Sequence, residues 1–381
     1  FIKKRGTVFG QNKDGNLMKE EKQPFFSQHD GVTFVKVPMA DGGEGTVQSI
    51  VDARNGEFVT EEVTGPLGEK VNATYGVIDN GKTAIIEMAT ASGLELVPKE
   101  KRNPEVTTTF GTGELILSAL DRGVERIIIG IGGSATNDGG AGMVEALGAK
   151  LLDKNGQVIP RGGEGLHQLV KIDMSSFDKR LKKVQIDVAC DVTNPLTGPN
   201  GASAVYGPQK GATEEQVRNL DHALKNYAKV IRRDLGVDIE HVSGAGAAGG
   251  LGAGLLAFCG AKLKRGGELV TDVVGLEKHI RDADLVITGE GGINEQTIFG
   301  KTPICVAKVA KKYDVPVIAI CGSLSRGYEA VYEHGIDAVF SIVPSVVTLE
   351  EALSNGYENL KKRARDIAVA MWMFRGVGVG E

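Results

Sequence analysis

Apolar positions follow two patterns along the chain. Between residues 56 and 89 they alternate with polar ones in three runs, Phe58 to Val63, Val71 to Val77 and Thr83 to Met88, parted by Gly-Pro and Asn-Gly turns, notably Asp79-Asn80-Gly81-Lys82. That period of two predicts antiparallel strands and a second, or inserted, domain beginning near residue 57. In the last third, short apolar runs alternate with glycine-rich stretches and segments of helical spacing. Strands are expected at 284–287, 316–320 and 338–342, helices at 303–312 and from Leu349, and loops at 288–292 and 321–324. Repeats of this kind build a parallel sheet with helices on both faces. Further strands are expected at 32–38, 127–129 and 184–189, and helices at 47–53, 106–121, 143–150 and 214–234. A hairpin-like segment is expected at 150–158, turning at Lys154-Asn155-Gly156. Residues 1–31 carry no convincing element.

The strand ends carry the chemistry. Ile127-Ile128-Ile129 empties into residues 130–142, which hold six glycines together with Ser134, Thr136, Asn137 and Asp138. Residues without Cβ let backbone N–H groups approach an anion, and a helix start behind them offers unpaired donors. A phosphate loop is therefore expected on Gly132 and Gly133, with hydroxyl donors at Ser134 and Thr136 and an acid at Asp138 that holds a cation or takes a proton. A tight turn capped by Asn137 or Asp138 is the alternative. The pattern recurs. The strand at 32–38 leads into Asp41-Gly42-Gly43-Glu44, where metal or substrate contact competes with helix capping. The strand at 184–189 delivers Asp191 and a loop fixed by prolines and glycines that includes Asn194. Beyond it stands Lys210, a candidate for neutralising phosphate or else an ordinary surface lysine.

Glu290 is a further acid at a strand end. Gly300-Lys301-Thr302 has the look of a Walker A ending, but Glu295 occupies the place of its first glycine, so a P-loop NTPase is excluded while Lys301 can still reach a phosphate. Gly244 to Gly249 match the dinucleotide fingerprint without a strong strand before them, and read as a glycine-rich loop and close-packed helix start. Glycine loops with acids Asp41, Asp138, Asp191 and Glu290 suit phosphoryl transfer, which needs positioned donors, Mg²⁺ on one or two carboxylates and a base for the acceptor hydroxyl.

Composition narrows the classes. Glycine is 53 of 381 residues, about twice the usual ~7%, and sits in clusters after apolar runs. A net charge of −5 with interspersed signs gives no reason to expect nucleic acid or an anionic membrane as partner. Residues 243–261 hold no charge, yet seven of the nineteen are glycine, which argues against a membrane span. The four cysteines lack any C-x-x-C spacing, as in reduced cytosolic proteins, and the amino end lacks the apolar core of a signal peptide. A cytoplasmic protein is expected.

The segments Pro38 to Thr46, Gly130 to Gly142, Ala189 to Gly198, Tyr206 to Gly211, Gly244 to Gly254 and Asp284 to Pro303 together resemble the bacterial type I glycerate kinase family, from about residue 32 to about 345. The resemblance implies ATP-dependent phosphorylation of glycerate, usually to 2-phosphoglycerate, in glyoxylate, glucarate and galactarate catabolism. It implies two α/β domains. One, with a mainly parallel sheet flanked by helices, would comprise 1–56 and 245–381; the other, inserted and with a mixed sheet, 57–244; the active site would lie in the cleft between them. Carried over by motif, Asp191 or Glu290 would lie near Mg²⁺, the Ser134 loop on phosphate, and Asp41 or Asp138 at the transferred proton. A homodimer is compatible with this reading. The chain departs from the family pattern in three places: residues 1–31 lack the opening strand and Ala-Pro-Asp-Ser-Phe-Lys, Gly292 and Asn294 replace Arg and Asp, and the end from Trp372 is unfamiliar. The competing readings are a homologue that binds without turnover and a nicotinamide-dependent oxidoreductase.

Overall fold

The computed structural model describes residues 2–3, 33–40 and 45–374. The chain divides into two compact units, 42–269 and 1–41 with 270–381. The sequence placed these boundaries at 56/57 and 244/245. The shift at the first has a packing cause: helix α1 (Thr46–Arg54) buries Val47, Ile50 and Val51, and Gly76 leaves room for Val51 on the second strand of the sheet of unit 42–269.

That sheet has six strands: β1 (Glu57–Thr64), β2 (Lys70–Ile78), β3 (Thr83–Glu87), β4 (Arg126–Gly130), β5 (Gln185–Ala189) and β6 (Lys262–Lys264), in the spatial order β6-β5-β4-β3-β2-β1. The first three are antiparallel and β3 to β6 run parallel. It is the expected mixed sheet. The two textures have separate causes. β1 alternates outward and inward positions along an edge, whereas Ile127, Ile128 and Ile129 at the centre of β4 are buried on both faces. At the β2–β3 turn Asp79, Asn80 and Gly81 all adopt positive φ, a conformation that short polar side chains and glycine tolerate.

Helices α2 (Phe110–Asp121), α3 (Ala141–Ala146), α4 (Glu214–Leu235) and α5 (Ala247–Cys259) belong to the same unit. α4 begins with a capping box between Thr213 and Gln216, ends at Gly236 with positive φ, and buries Leu220, Ala223, Leu224, Tyr227 and Ile231 along one stripe. α2 starts four residues later than its periodicity predicts, because Thr107, Thr108 and Thr109 are buried in an irregular segment with a task described below.

In the other unit, β7 (Val286–Ile293), β8 (Val317–Leu324) and β9 (Ala338–Ser341) form a parallel sheet in the order β7-β8-β9. Helices α6 (Thr302–Lys311) and α7 (Gly356–Phe374) accompany it. The loops expected at 288–292 and 321–324 are strand instead: Gly289 pairs with Ile320 and Glu290 with Cys321. Glycine there serves close approach of two backbones, since a Cβ on Gly289 would meet the Ile320 carbonyl and one on Gly322 the Gly291 carbonyl. Of the strand expected at 32–38 only Thr33–Phe34 is regular, pairing antiparallel with Ile2–Lys3. Among the described residues no helix is long and apolar enough to cross a membrane.

Replacing Gly322 with Val should lower stability by about 1–3 kcal/mol, seen as a reduced melting temperature by circular dichroism. Gly291→Ala, with open space at its Cβ, should stay within ~0.5 kcal/mol of the parent. Equal effects would show that strand spacing is not what Gly322 supplies.

Candidate active site

The loop after β4 is held by what surrounds it. Ala135 N–H donates to Ser92 O at 3.0 Å, Leu94 N–H to Gly133 O at 2.8 Å, and Thr107 Oγ1 to Ala135 O at 2.9 Å. Behind it, Gly139 N–H donates to Gly249 O at 3.0 Å. A Cβ on Gly249 would collide with the Thr136 carbonyl, and one on Gly246 with the Pro195 carbonyl. The glycines of 244–254 are thus spent on packing the chain against itself, in a left-handed turn at Ala248, Gly249 and Gly250. That is the close-packed helix start expected from the sequence, and a pyrophosphate has no room against these glycines.

Asp138 is completely buried. Its Oδ2 accepts from the Thr109 backbone and hydroxyl, both at 2.8 Å, and from Gly142 N–H at 3.2 Å, while Oδ1 accepts from Gly140 N–H at 3.1 Å. Thr109 Oγ1 also accepts from Met143 N–H at 3.0 Å. The donors at the start of α3 are therefore consumed inside the protein, and the expected anion site at that helix start is not there. α3 is also one turn and a half, shorter than the sequence suggested. Burial pushes the Asp138 carboxyl up, against the four donors that pull it down.

What remains open is the turn upstream. Gly132 and Gly133 are exposed and Ser134 is 7% exposed. Below them Lys210, expected as a phosphate-neutralising or surface residue, is 1% exposed. Its Nζ donates to Ser134 Oγ at 2.7 Å and to the Thr136 carbonyl at 2.6 Å. Burial pushes its pKa down to about 7, with the Asp138 charge acting the other way. Asn137, fully buried, donates to Ser203 Oγ at 2.9 Å; Asn137 Oδ1 and Thr136 Oγ1 are buried without a hydrogen-bond partner.

At the end of β5 Asp191 is exposed and accepts from Gly266 N–H at 2.9 Å. Asn194 is a staple of its own loop, accepting from Tyr206 Oη at 2.7 Å and donating to Asn200 O at 2.8 Å. In the other unit Glu290 accepts from the buried Thr297 hydroxyl at 2.7 Å, and Lys301 Nζ lies 3.8 Å from its other oxygen. Gly292 sits within β7, and Asn294 Oδ1 accepts from Gln296 N–H at 2.8 Å. Asp41, Gly42, Gly43 and Glu44 lie outside the described residues. Thr109 and Thr297 escaped the sequence reading. The one signal for Thr109 was three β-branched threonines at the start of a segment read as helix, where such residues are poor formers.

Among the described residues no three His, Cys, Asp or Glu side chains are grouped to hold a metal. An exposed carboxylate such as Asp191 does fit Mg²⁺, which keeps most of its waters and takes further ligands from substrate phosphates.

The chain as a whole has clear relatives. The model of the glycerate kinase family matches residues 16–372, and the chain belongs to that family. Glycerate 2-kinase of Escherichia coli strain K12 is 60% identical over 338 residues, covering 89% of each chain. Glycerate kinase of Halalkalibacterium halodurans is 60% identical over 333 residues, 87% of this chain and 88% of the relative. The crystal structure of a Salmonella typhimurium LT2 protein described as a "putative glycerate kinase 2" superposes with a TM-score of 0.88 at 54% identity, covering 98% of this chain and all of that one.

Two stability measurements probe the site. Thr109→Val leaves Asp138 short of a donor and should cost about 1–3 kcal/mol in urea unfolding; no change would mean the carboxylate is not held as described. For Lys210, the folded pKa of about 7 lies below the ordinary 10.5. Between those values the unfolded chain binds a proton that the folded one sheds, so stability should rise with pH across that window. Lys210→Met should lack this rise; a parallel pH dependence in the two proteins would contradict it.

Proposed function

We propose that the chain transfers the γ-phosphoryl group of ATP to the C2 hydroxyl of D-glycerate, giving 2-phosphoglycerate and ADP. The observation that carries this is the 60% identity to the E. coli glycerate 2-kinase across 89% of both chains. The site chemistry agrees with it. The hydroxyl oxygen bonds to the γ-phosphorus as the bond to the ADP oxygen breaks, and the hydroxyl proton passes to a carboxylate. In-line transfer of this kind asks chiefly for positioning and charge stabilisation.

The exposed Gly132-Gly133 turn, with the mostly buried Ser134 beside it, is the phosphate contact in this reading. Asp191, at a strand's carboxyl end and open to solvent, would hold Mg²⁺, which when bound would supply positive charge against the nucleotide phosphates. Lys301 supplies a cation near Glu290. Asp138 is a poor proton acceptor because its oxygens already hold four donors, which favours Asp41 for that step. None of the four cysteines is in a disulfide, in keeping with a reducing cytoplasm.

Mixing the protein with ATP, Mg²⁺ and D-glycerate should release ADP only when all three are present. Phosphorus NMR of the product should show a doublet, from the single proton on C2; a triplet would place the phosphate on C3, and no ADP would defeat the reading. Asp191→Asn should lower kcat/KM for ATP on the order of tenfold or more.

A further inference from the structure

A lysine that is 1% exposed cannot touch a ligand outside the protein, yet Lys210 lies directly beneath the one open part of the loop. The direction of its hydrogen bonds is fixed by chemistry. An ammonium has three donors and no lone pair, so Ser134 Oγ can only accept from it. A serine hydroxyl that accepts from below has its own proton left to give elsewhere. Ser134 keeps 7% of its surface exposed and is preceded by the exposed Gly132-Gly133 turn, so that turn is where an acceptor from outside can come nearest to it.

We infer that Lys210 acts as a positioning residue rather than as a phosphate ligand: its ammonium donates into Ser134 Oγ and so commits the Ser134 hydroxyl to donate outward, to an anionic oxygen of the nucleotide at the Gly132-Gly133 turn. This rests on the phosphate contact proposed above for that turn. The second donation, to the Thr136 carbonyl at 2.6 Å, fixes the ammonium in place. A charged donor also polarises the hydroxyl it feeds, so positive potential reaches the turn while the lysine stays dry.

The same arrangement makes the relay sensitive to protons. Once Lys210 is neutral it acquires a lone pair, and Ser134 can turn its hydrogen inward to it, withdrawing the donor. Burial has brought that loss down to about pH 7 in the unliganded protein. The charged and titratable groups around the pair include Asp138 on the loop, which opposes the loss; Tyr227 on α4, buried near Asp138 and held neutral far above its ordinary value; and Arg102, whose guanidinium is turned to Val97 O at 3.4 Å while its carbonyl abuts Gly211. An anion bound at the turn favours the charged lysine, so binding and proton uptake are linked.

The test uses the whole protein labelled with [¹³Cε]lysine, the Lys210 signal being assigned by its absence from Lys210→Arg or Lys210→Met. Its titration midpoint should lie near 7 without ligand and rise by about one unit or more when ATP is saturating. An unchanged midpoint overturns the inference. In steady state, Lys210→Met and Ser134→Ala should each raise KM for ATP about 10- to 100-fold, with the double variant no worse than the single ones. The alkaline fall in kcat/KM for ATP of the parent should be missing from Lys210→Arg, which retains charge at every accessible pH. Additive losses, or an alkaline limb that survives in Lys210→Arg, also overturn it. ADP formation by the parent, measured separately, reports on the kinase reading itself, so the two can fail independently.

Discussion

Burying an ammonium group costs several kcal/mol unless its donors are used and an opposite charge is near. Lys210 is placed under the glycine loop with two of its three donors on that loop, one to Ser134 and one to Thr136, and with the Asp138 charge supporting it. Asp138 in turn is buried only because Thr109, Gly140 and Gly142 point four donors at it. The loop's shape, the start of α3 and the irregular segment at 107–109 are thus consequences of satisfying two buried charges. Removing the Lys210 side chain takes two donors from Ser134 and Thr136, and removing the Asp138 carboxylate leaves the Thr109, Gly140 and Gly142 donors unpaired in a water-free interior.

That constraint also explains the glycine content of the unit. Gly139 turns with positive φ against the Tyr227 ring, Gly249 with positive φ against the Thr136 carbonyl, and Gly142 against the Thr108 hydroxyl. At these places a side chain would push the backbone away from the lysine and the carboxylate. Many of the glycines that look in the sequence like ligand contacts are therefore internal spacers. Gly132 and Gly133, by contrast, are exposed and stand outside the buried network.

The α/β class, the antiparallel runs between 57 and 88 and the parallel units of the last third were legible because their apolar patterns are clear and the antiparallel turns carry Asn-Gly and Gly-Pro signals. Helix α4 was legible too, expected at 214–234 and found at Glu214–Leu235. The glycine stretches at 288–292 and 321–324 misled: composition says turn, while pairing of Gly289 with Ile320 makes it strand, a tertiary reason with no local trace. The burial of Lys210 was not legible, because a lysine between Gln209 and Gly211 looks the same whether it faces water or the interior. Nor could a sequence tell that Asp138 would be spent on capping when Asp191, with the same strand-end placement, is left exposed.

Hydrogen exchange of residues 132–142 by mass spectrometry, compared between the parent protein and Lys210→Met, tests the central claim most directly. If two buried charges hold the loop, exchange in the variant should accelerate across 132–142 and the 107–109 segment while β4, beneath them, remains protected. Protection of the loop unchanged from the parent would contradict the account.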